Sequence, residues 1–305
     1  MIHEEVPAAL AGQRLDRIVA IMGDLSRADA SKTIEAEGVT VDGEHAPSGK
    51  VRLEEGQSVT VDPSKFPVEE LPGPDASVEF GVVHEDEHVI VIDKPPGLVV
   101  HPGAGNPTGT LANGLLHRYP ELLHVGERIR PGIVHRLDAG SSGLLVVART
   151  NEAVGLLIAQ FADHSATRVY DAMVWGVPEA SHGIIDAPLG RSRSDPLRMA
   201  VVADGRPSRT DYQVVGTYAE PAQVSRLECR LETGRTHQIR VHLSSINHPL
   251  IGDPTYGQRR PVLGLTRPFL HAAQLQFVHP GSGERVTYHS PLAADLQAWL
   301  DAAQV

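Results

Sequence analysis

A single cysteine, Cys229, is the whole thiol complement of this 305-residue chain. That excludes an internal disulfide and a cysteine-based zinc cage, and the expected state of the thiol is a small buried hydrophobe. No apolar run approaches the roughly 20 residues of a membrane helix. The opening stretch Met1 to Gly12 is acidic and lacks the basic-then-apolar order of an export signal, so a cytoplasmic protein is expected. There is no Walker loop, no dinucleotide fingerprint and no Gly-x-Ser-x-Gly elbow. The chain therefore advertises no cofactor, nucleotide or otherwise. It also lacks net positive charge, carrying −11, which taken alone argues against nucleic acid, since phosphate contacts need Lys and Arg.

What is present is an ordinary globular composition, 41% hydrophobic and 21% charged, at a length sufficient for two or three domains. The charge is uneven. Between Leu189 and Arg209 stand five arginines (Arg191, Arg193, Arg198, Arg206, Arg209) against two aspartates, so an acidic protein could still present a basic groove.

Residues 1–62 read as a small α+β unit. Leu15, Ile18, Val19 and Met22 follow helical spacing; Ser26 can cap a second helix with Asp29 at the capping-box position, and Gly38 ends it. Val39 and Val41 alternate as a strand, Asp42-Gly43 is a turn, and Val51 to Val61 is expected to return as strand. Prolines 63, 67, 72 and 74 mark residues 63–78 as a linker. From residue 79 to 305 strands dominate, among them His88 to Asp93, Gly132 to Asp138, Leu144 to Ala148, Tyr170 to Trp175 and Arg226 to Glu232. Helices are expected after a Thr150 or Asn151 cap, from about Thr236, and from Ser290-Pro291 with Pro at the first position. Strands with interspersed helices, rather than regular βαβ repeats, predict an α+β fold with a mostly antiparallel sheet.

Two polar clusters could carry chemistry. In Gly132 to Gly143, His135, Arg136 and Asp138 fall within four residues of one another beside a glycine-hinged turn. An aspartate so placed could act as nucleophile or general base, but spacing alone favours a plainer reading, Arg136 and Asp138 paired on one strand face. In Thr233 to His242, Gly234 permits a tight turn into a helix that carries His237 and Arg240 on one face, with free N–H groups at its start for a phosphate or carboxylate; the plain alternative is a solvated basic turn. His237, His242 and His248 crowd this region, but His237 and His242 would lie about 500° apart on a helix, off the geometry of helical zinc sites, and no metal is expected.

Taken together, Asp93-Lys94-Pro95-Pro96-Gly97, His135-Arg136-Leu137-Asp138 followed by Ser142-Gly143-Leu144-Leu145, Arg168-Val169-Tyr170, Gly234-Arg235-Thr236-His237-Gln238-Ile239-Arg240, His248 to Asp253 and Leu270-His271-Ala272 resemble, in order, the motifs of the RluA family of pseudouridine synthases, most closely its RluD-type branch. The resemblance runs from about residue 85 to 295. Residues 1–62 are similar to an S4 RNA-binding domain, although they carry twelve acidic and six basic residues. The resemblance implies isomerisation of uridine to pseudouridine in structured RNA, a stem-loop of 23S ribosomal RNA or a pre-50S particle. It implies Asp138 as nucleophile, attacking either the sugar or the base. Arg240 is implied as its buried charge partner, Tyr170 as stacking on the target base, and Arg136 as filling the space left by a flipped nucleotide, since chemistry on a stacked base requires extrusion. Further RNA contacts are expected from His135, Arg235, His237, Arg191 and Arg198, and, on the N-terminal unit, Arg27 and Lys32. The alternatives are a non-catalytic RNA-binding assembly factor and a metal-dependent hydrolase built on the histidines.

Overall fold

Short-range signals build the first seventy residues. Leu15, Ile18 and Val19 form the buried face of helix α1 (Leu15–Gly23), and the Ser26 hydroxyl accepts the Asp29 N–H to open α2 (Arg27–Glu35). The computed structural model, which describes residues 1–67, 71–103, 105–195 and 197–303, divides the chain into two compact units, Met1–Glu70 and Leu71–Val305. In the first, strands β1 (Ile2–Glu5), β2 (Val39–Val41), β3 (Glu44–His45) and β4 (Ser58–Val61) form an antiparallel sheet in the order β1-β4-β2-β3. Val39, Val59 and Val61 pack onto Leu15, Ile18, Val19 and Ile34. The strand expected over Val51 to Val61 exists only as β4. Upstream, Leu53 donates to the Gln13 carbonyl and Gly56 to that of Val6, so residues 53–56 brace the unit's interior instead of joining the ladder.

The proline-rich segment is not uniformly extended. Pro63–Lys65 makes a 3-10 turn and Phe66 packs on the first unit's core. Val68 to Glu70 lie outside the described residues. Farther on, Asn113 of the second unit donates to the Gly73 carbonyl and accepts the Asp75 N–H at its own carbonyl.

The second unit contains β5 (Gly81–Glu85), β6 (Val89–Lys94), α3 (Leu111–Arg118), β7 (Gly126–Glu127), β8 (Arg130–Pro131), β9 (Ser142–Ala148), α4 (Asn151–Ala162), β10 (Thr167–Trp175), β11 (His182–Asp186), β12 (Leu189–Arg191), β13 (Met199–Val201), β14 (Arg209–Tyr218), β15 (Val224–Leu231), α5 (Gln238–Ser245), β16 (Leu270–Val278), β17 (Arg285–His289) and α6 (Ala294–Ala302). Its main sheet runs β11-β14-β15-β10-β16-β9-β6-β5, with β17 also on β16. Every pairing described in it is antiparallel except β16 with β9. This is an α+β architecture with a mostly antiparallel sheet, as the element order implies. The β9 strand is buried along its whole length, and α4 lies beside it with Ala153 and Leu157 in the same core. Thr150 caps α4 by accepting the Ala153 N–H.

Two expected elements differ. Gly132 to Asp138 is not a strand: it meets β9 at the single bridge Ile133–Val147, and the next free N–H of β9, Val146, bonds to the His135 imidazole. A side chain thus takes the place of a backbone carbonyl in the ladder, and residues 136–138 leave the sheet. The last helix begins at Ala294, not at Pro291, because the Ser290 N–H and side chain are held by Ala273 and Asp93 and keep the preceding residues in extended chain.

Buried and half-buried histidines in this unit make its stability depend on acid. Burial pushes His135 down from 6.5 to about 3, and His101 to about 4 with the Arg136 and Arg130 charges adding to the effect; His242 and His271 are lowered as well, by burial. These rings are neutral when folded, whereas in the unfolded chain each takes a proton at its ordinary value, so their contribution is present above about pH 6.5 and is lost as pH falls below it. Thermal melts should show a Tm that declines steadily as pH falls from about 6.5 to about 5. A Tm constant across that interval would contradict the assignment of neutral rings.

Candidate active site

The second polar motif owes its shape to one glutamine. Gln238, buried at the start of α5, accepts from the Arg235 N–H (3.0 Å) and the Thr233 hydroxyl (2.7 Å) through Oε1, and donates through Nε2 to the Arg209 carbonyl and Thr210 hydroxyl. All four contacts of its amide are satisfied, which locks the turn from Thr233 to His237. His237 sits just before the helix in the left-handed conformation (φ 57°), its Nδ1 2.8 Å from the Tyr256 hydroxyl. Two residues into the helix, Arg240 points back toward the sheet.

Arg240 is gripped from one side and shared with the other. Its Nε and Nη2 donate in parallel to Asp253 (2.8 and 2.9 Å), a bidentate pair, while Nη1 donates to Asp138 Oδ2 at 3.3 Å. Asp253 is sealed, its side chain wholly inaccessible, and also accepts the Thr255 and Tyr256 N–H groups. Despite burial, the Arg240 hydrogen bond and charge hold its carboxyl below the usual range. Tyr256 lies under the guanidinium, 4.9 Å from ring centre to Cζ. Arg240 thus stands fixed, and Asp138, 16% accessible, is the carboxylate left facing the cleft.

Asp138 is held through its own loop. The Asp138 carbonyl accepts the Ser141 N–H, the Ala139 carbonyl accepts the Gly97 N–H, and Arg267 reaches the Gly140 carbonyl while its fork engages Asp295. Lys94 is fully buried, its ammonium donating to the carbonyls of Pro95, Leu98 and, at 3.3 Å, Ala139. Burial pushes Lys94 down to about 7, against the pull of the Asp138 charge. Behind the loop, Gly143 (φ 106°) is where β9 meets β16; a Cβ there would fall 2.4 Å from the Ala272 carbonyl oxygen, so glycine is required at this crossing.

The cleft in front of Asp138 is narrow, a cavity of about 40 Å³, and is lined by Arg136, Leu137, Arg168, Tyr170, Leu231, Gly234, Arg235, His237 and Leu270. Leu137, Leu231, Leu270 and the Tyr170 ring, with cationic side chains converging among them, suit a site for one small planar group. Tyr170 is 5% exposed on β10, next to a bulge in the pairing with β16, and burial raises its phenol. The structure therefore brings together Asp138, Tyr170, Arg240, Arg136, Arg235 and His237.

It turns His135 away. That ring, half-buried, lies 4.5 Å from Phe161 with Nε2 accepting the Val146 N–H, so it stands outside the cleft lining and that nitrogen is not free for RNA. The strand-face pair of Arg136 with Asp138 does not form: Arg136 is exposed and Asp138 bonds Arg240. Arg191 ends β12 and Arg198 adjoins β13, a hairpin anchored on this wall by the Met199 N–H to Tyr256; Arg198 pairs with Asp195 at 3.1 Å. In the N-terminal unit, Arg27 pairs with Asp16 and Lys32 with Asp29.

The histidines answer to hydrogen bonds. His242 Nε2 faces the Ala187 carbonyl and Nδ1 the Thr210 hydroxyl, and His248 Nδ1 faces the Trp175 carbonyl. Elsewhere His84, Asp86 and His279 bring ligand atoms within 4.8 Å of one another. His279 Nδ1, however, accepts the N–H groups of Gly281 and Ser282, which places the ring proton on Nε2, aimed at Asp86 (2.8 Å). A ligating nitrogen needs a lone pair there, so the trio as folded is a hydrogen-bonded staple.

Sequence reasoning had no roles for Asp253, Tyr256, Lys94 or Arg168. Asp253 and Lys94 stood inside quoted motifs, but their functions depend on contacts with residues 13 to 45 positions away.

Known proteins resemble this chain in sequence and in fold. Residues 88–245 match the family model described as RNA pseudouridylate synthase. The chain is 47% identical to an uncharacterised RNA pseudouridine synthase of Chloroflexus aurantiacus over 98% of its own length and 92% of that protein's. It is 44% identical to the ribosomal large subunit pseudouridine synthase D of Nitrosomonas europaea, over 99% and 87%. Among solved structures, human RNA pseudouridylate synthase domain containing 1 superposes with a TM-score of 0.57 at 28% identity, covering 74% of this chain and 89% of that one. A carboxylate steadied by a clamped arginine beside a buried tyrosine, on a fold and sequence shared with these proteins, makes this chain a member of the RNA pseudouridine synthase family.

Proposed function

We propose that the protein isomerises uridines in large-subunit ribosomal RNA, with Asp138 as the catalytic carboxylate. The observation that carries the residue assignment is the Asp253–Arg240–Asp138 chain. A guanidinium fixed by a sealed partner positions a second carboxylate without neutralising it entirely, because one positive charge is shared between two negative ones. The RNA target follows the relatives named for the large subunit, such as those of Nitrosomonas europaea and Pseudomonas aeruginosa.

In this reading the target nucleotide leaves its stack and enters the cleft, its base against Tyr170, while exposed Arg136 fills the vacated space. Asp138 forms a covalent bond to the substrate, the glycosidic bond breaks, the base turns, and its C5 joins the sugar carbon. The C5 proton passes to solvent, N1 regains one, and Asp138 is released as it began. Nothing is oxidised and no group is gained. Arg235 and His237 flank the cleft mouth for the neighbouring phosphates, and the hairpin bearing Arg191 and Arg198 extends that surface. The N-terminal unit, through α2 with Arg27 and Lys32, serves as an accessory RNA contact, and the setting is the cytoplasm, on free ribosomal RNA or an assembling subunit. No helix among the described residues is long and apolar enough to cross a membrane.

Asp138→Asn should abolish tritium release from RNA labelled at uracil C5 while leaving RNA affinity nearly unchanged; tritium release at the wild-type rate would remove Asp138 from the chemistry. Asp253→Asn should slow single-turnover isomerisation on the order of 100-fold, since a displacement of about 1 Å at Asp138 suffices for that. A full-speed Asp253→Asn enzyme would show that Arg240 needs no clamp. Arg191→Glu combined with Arg198→Glu should weaken RNA binding and flatten its dependence on salt; an unchanged slope would place the groove elsewhere.

A further inference from the structure

Arg168 is a buried cation without an anion. It is 6% exposed. Its Nε has no hydrogen-bond partner, Nη2 makes one long bond to the Glu232 carbonyl (3.3 Å), and the guanidinium lies over Phe161, 5.1 Å from the ring centre. The other buried guanidiniums of the unit are matched: Arg240 by Asp253 and Arg267 by Asp295. Charges taken out of water without a partner are costly. Burial accordingly pulls Arg168 below its ordinary value, with no carboxylate acting against it.

Its location says what the missing partner is. Arg168 and Tyr170 are two residues apart on β10 and so face the same side of the sheet, both lining the cleft with Asp138. Gly234 completes the arrangement: a Cβ there would lie 2.4 Å from Arg168 Nη1, so the turn is bare where the guanidinium crosses it. A phosphate would stay at the hydrated mouth, where exposed Arg136 and Arg235 stand. The group that penetrates as far as Tyr170 is the base. Resting on the reading of this cleft as the nucleotide site, we propose that Arg168 stabilises the negative charge that the uracil ring acquires during the reaction.

The chemistry supplies that charge by either route. If an Asp138 oxygen bonds to the sugar carbon C1′, the C1′–N1 bond breaks and its electron pair departs with the base, spread over N1, O2 and O4. If the oxygen instead adds to C6, the C5–C6 π pair moves toward C5 and O4, and the C1′–N1 bond breaks as C5 bonds to C1′, leaving on N1 the electron pair that its incoming proton takes. In both cases the anion disappears when C5 bonds to C1′, the Asp138 bond breaks to restore the carboxylate, C5 loses its proton to solvent and N1 takes one up. A fixed guanidinium in a water-poor cleft stabilises such a transient charge without reorganising.

The test compares Arg168→Met and Arg168→Lys with the wild type on ribosomal RNA transcripts carrying uridine or 5-fluorouridine, under single turnover, following consumption of the target nucleoside. Fluorine withdraws electrons and stabilises the same anion. Arg168→Met should lose on the order of 100- to 1,000-fold with uridine, and markedly less with 5-fluorouridine, with RNA affinity preserved and Arg168→Lys intermediate. An equal loss on both substrates would mean that Arg168 only holds the fold, and a loss confined to RNA affinity would make it a phosphate contact; either overturns the proposal. If Arg168→Met fails to fold, the same comparison on Arg168→Lys decides, because that variant keeps the charge and changes its position. Failure of the underlying reading is separately visible as tritium release by Asp138→Asn.

Discussion

One guanidinium organises the catalytic unit. Arg240 reaches from the second residue past the α5 start toward the sheet, where Asp253 holds two of its nitrogens and Asp138 takes the third. The bidentate bond is the tighter one, and its partner is wholly enclosed. Arg240 therefore belongs first to Asp253 and only then to Asp138. Removing one member of such a buried set typically costs about 3–5 kcal/mol, because the survivors remain charged and unpaired.

The surrounding structure serves that arrangement from two directions. From the α5 side, Gln238 ties the turn that launches the helix, and Tyr256 lies under Arg240 while bonding His237 and Met199. From the β9 side, Lys94 and Arg267 hold the carbonyls that follow Asp138, and Gly143 lets β16 approach closely enough to close the sheet behind it. Asp138 is placed by backbone contacts on one side and by a clamped side chain on the other. That is how a loop attains the rigidity of a strand, which catalysis by positioning requires.

Much of this was legible locally. The Ser26 and Thr150 caps, the strand through Leu227, Cys229 and Leu231, and the antiparallel bias all follow from short-range pattern. The ordered motifs placed Asp138, Tyr170 and Arg240 in one site, and the fold does bring them together. Where the reading failed, a side chain had displaced backbone. His135 reads as a strand residue and an RNA contact, yet its imidazole occupies a ladder position on β9, which ends the strand and leaves the ring outside the cleft lining. Asp253 and Arg168 were opaque for another reason. One pairs across 13 residues and the other is defined by a partner that is absent among the described residues, and neither property leaves a period or a spacing in the chain.

The sharing of Arg240 between two carboxylates is tested most directly by a double-mutant cycle in single-turnover rate, combining Arg240→Lys, which keeps the charge and loses the fork, with Asp253→Asn. If Asp253 acts on Asp138 only through Arg240, the double variant will be no slower than the slower of the two single ones. Losses that multiply would show that the two residues act independently, and the clamp would not be the device that sets Asp138 in place.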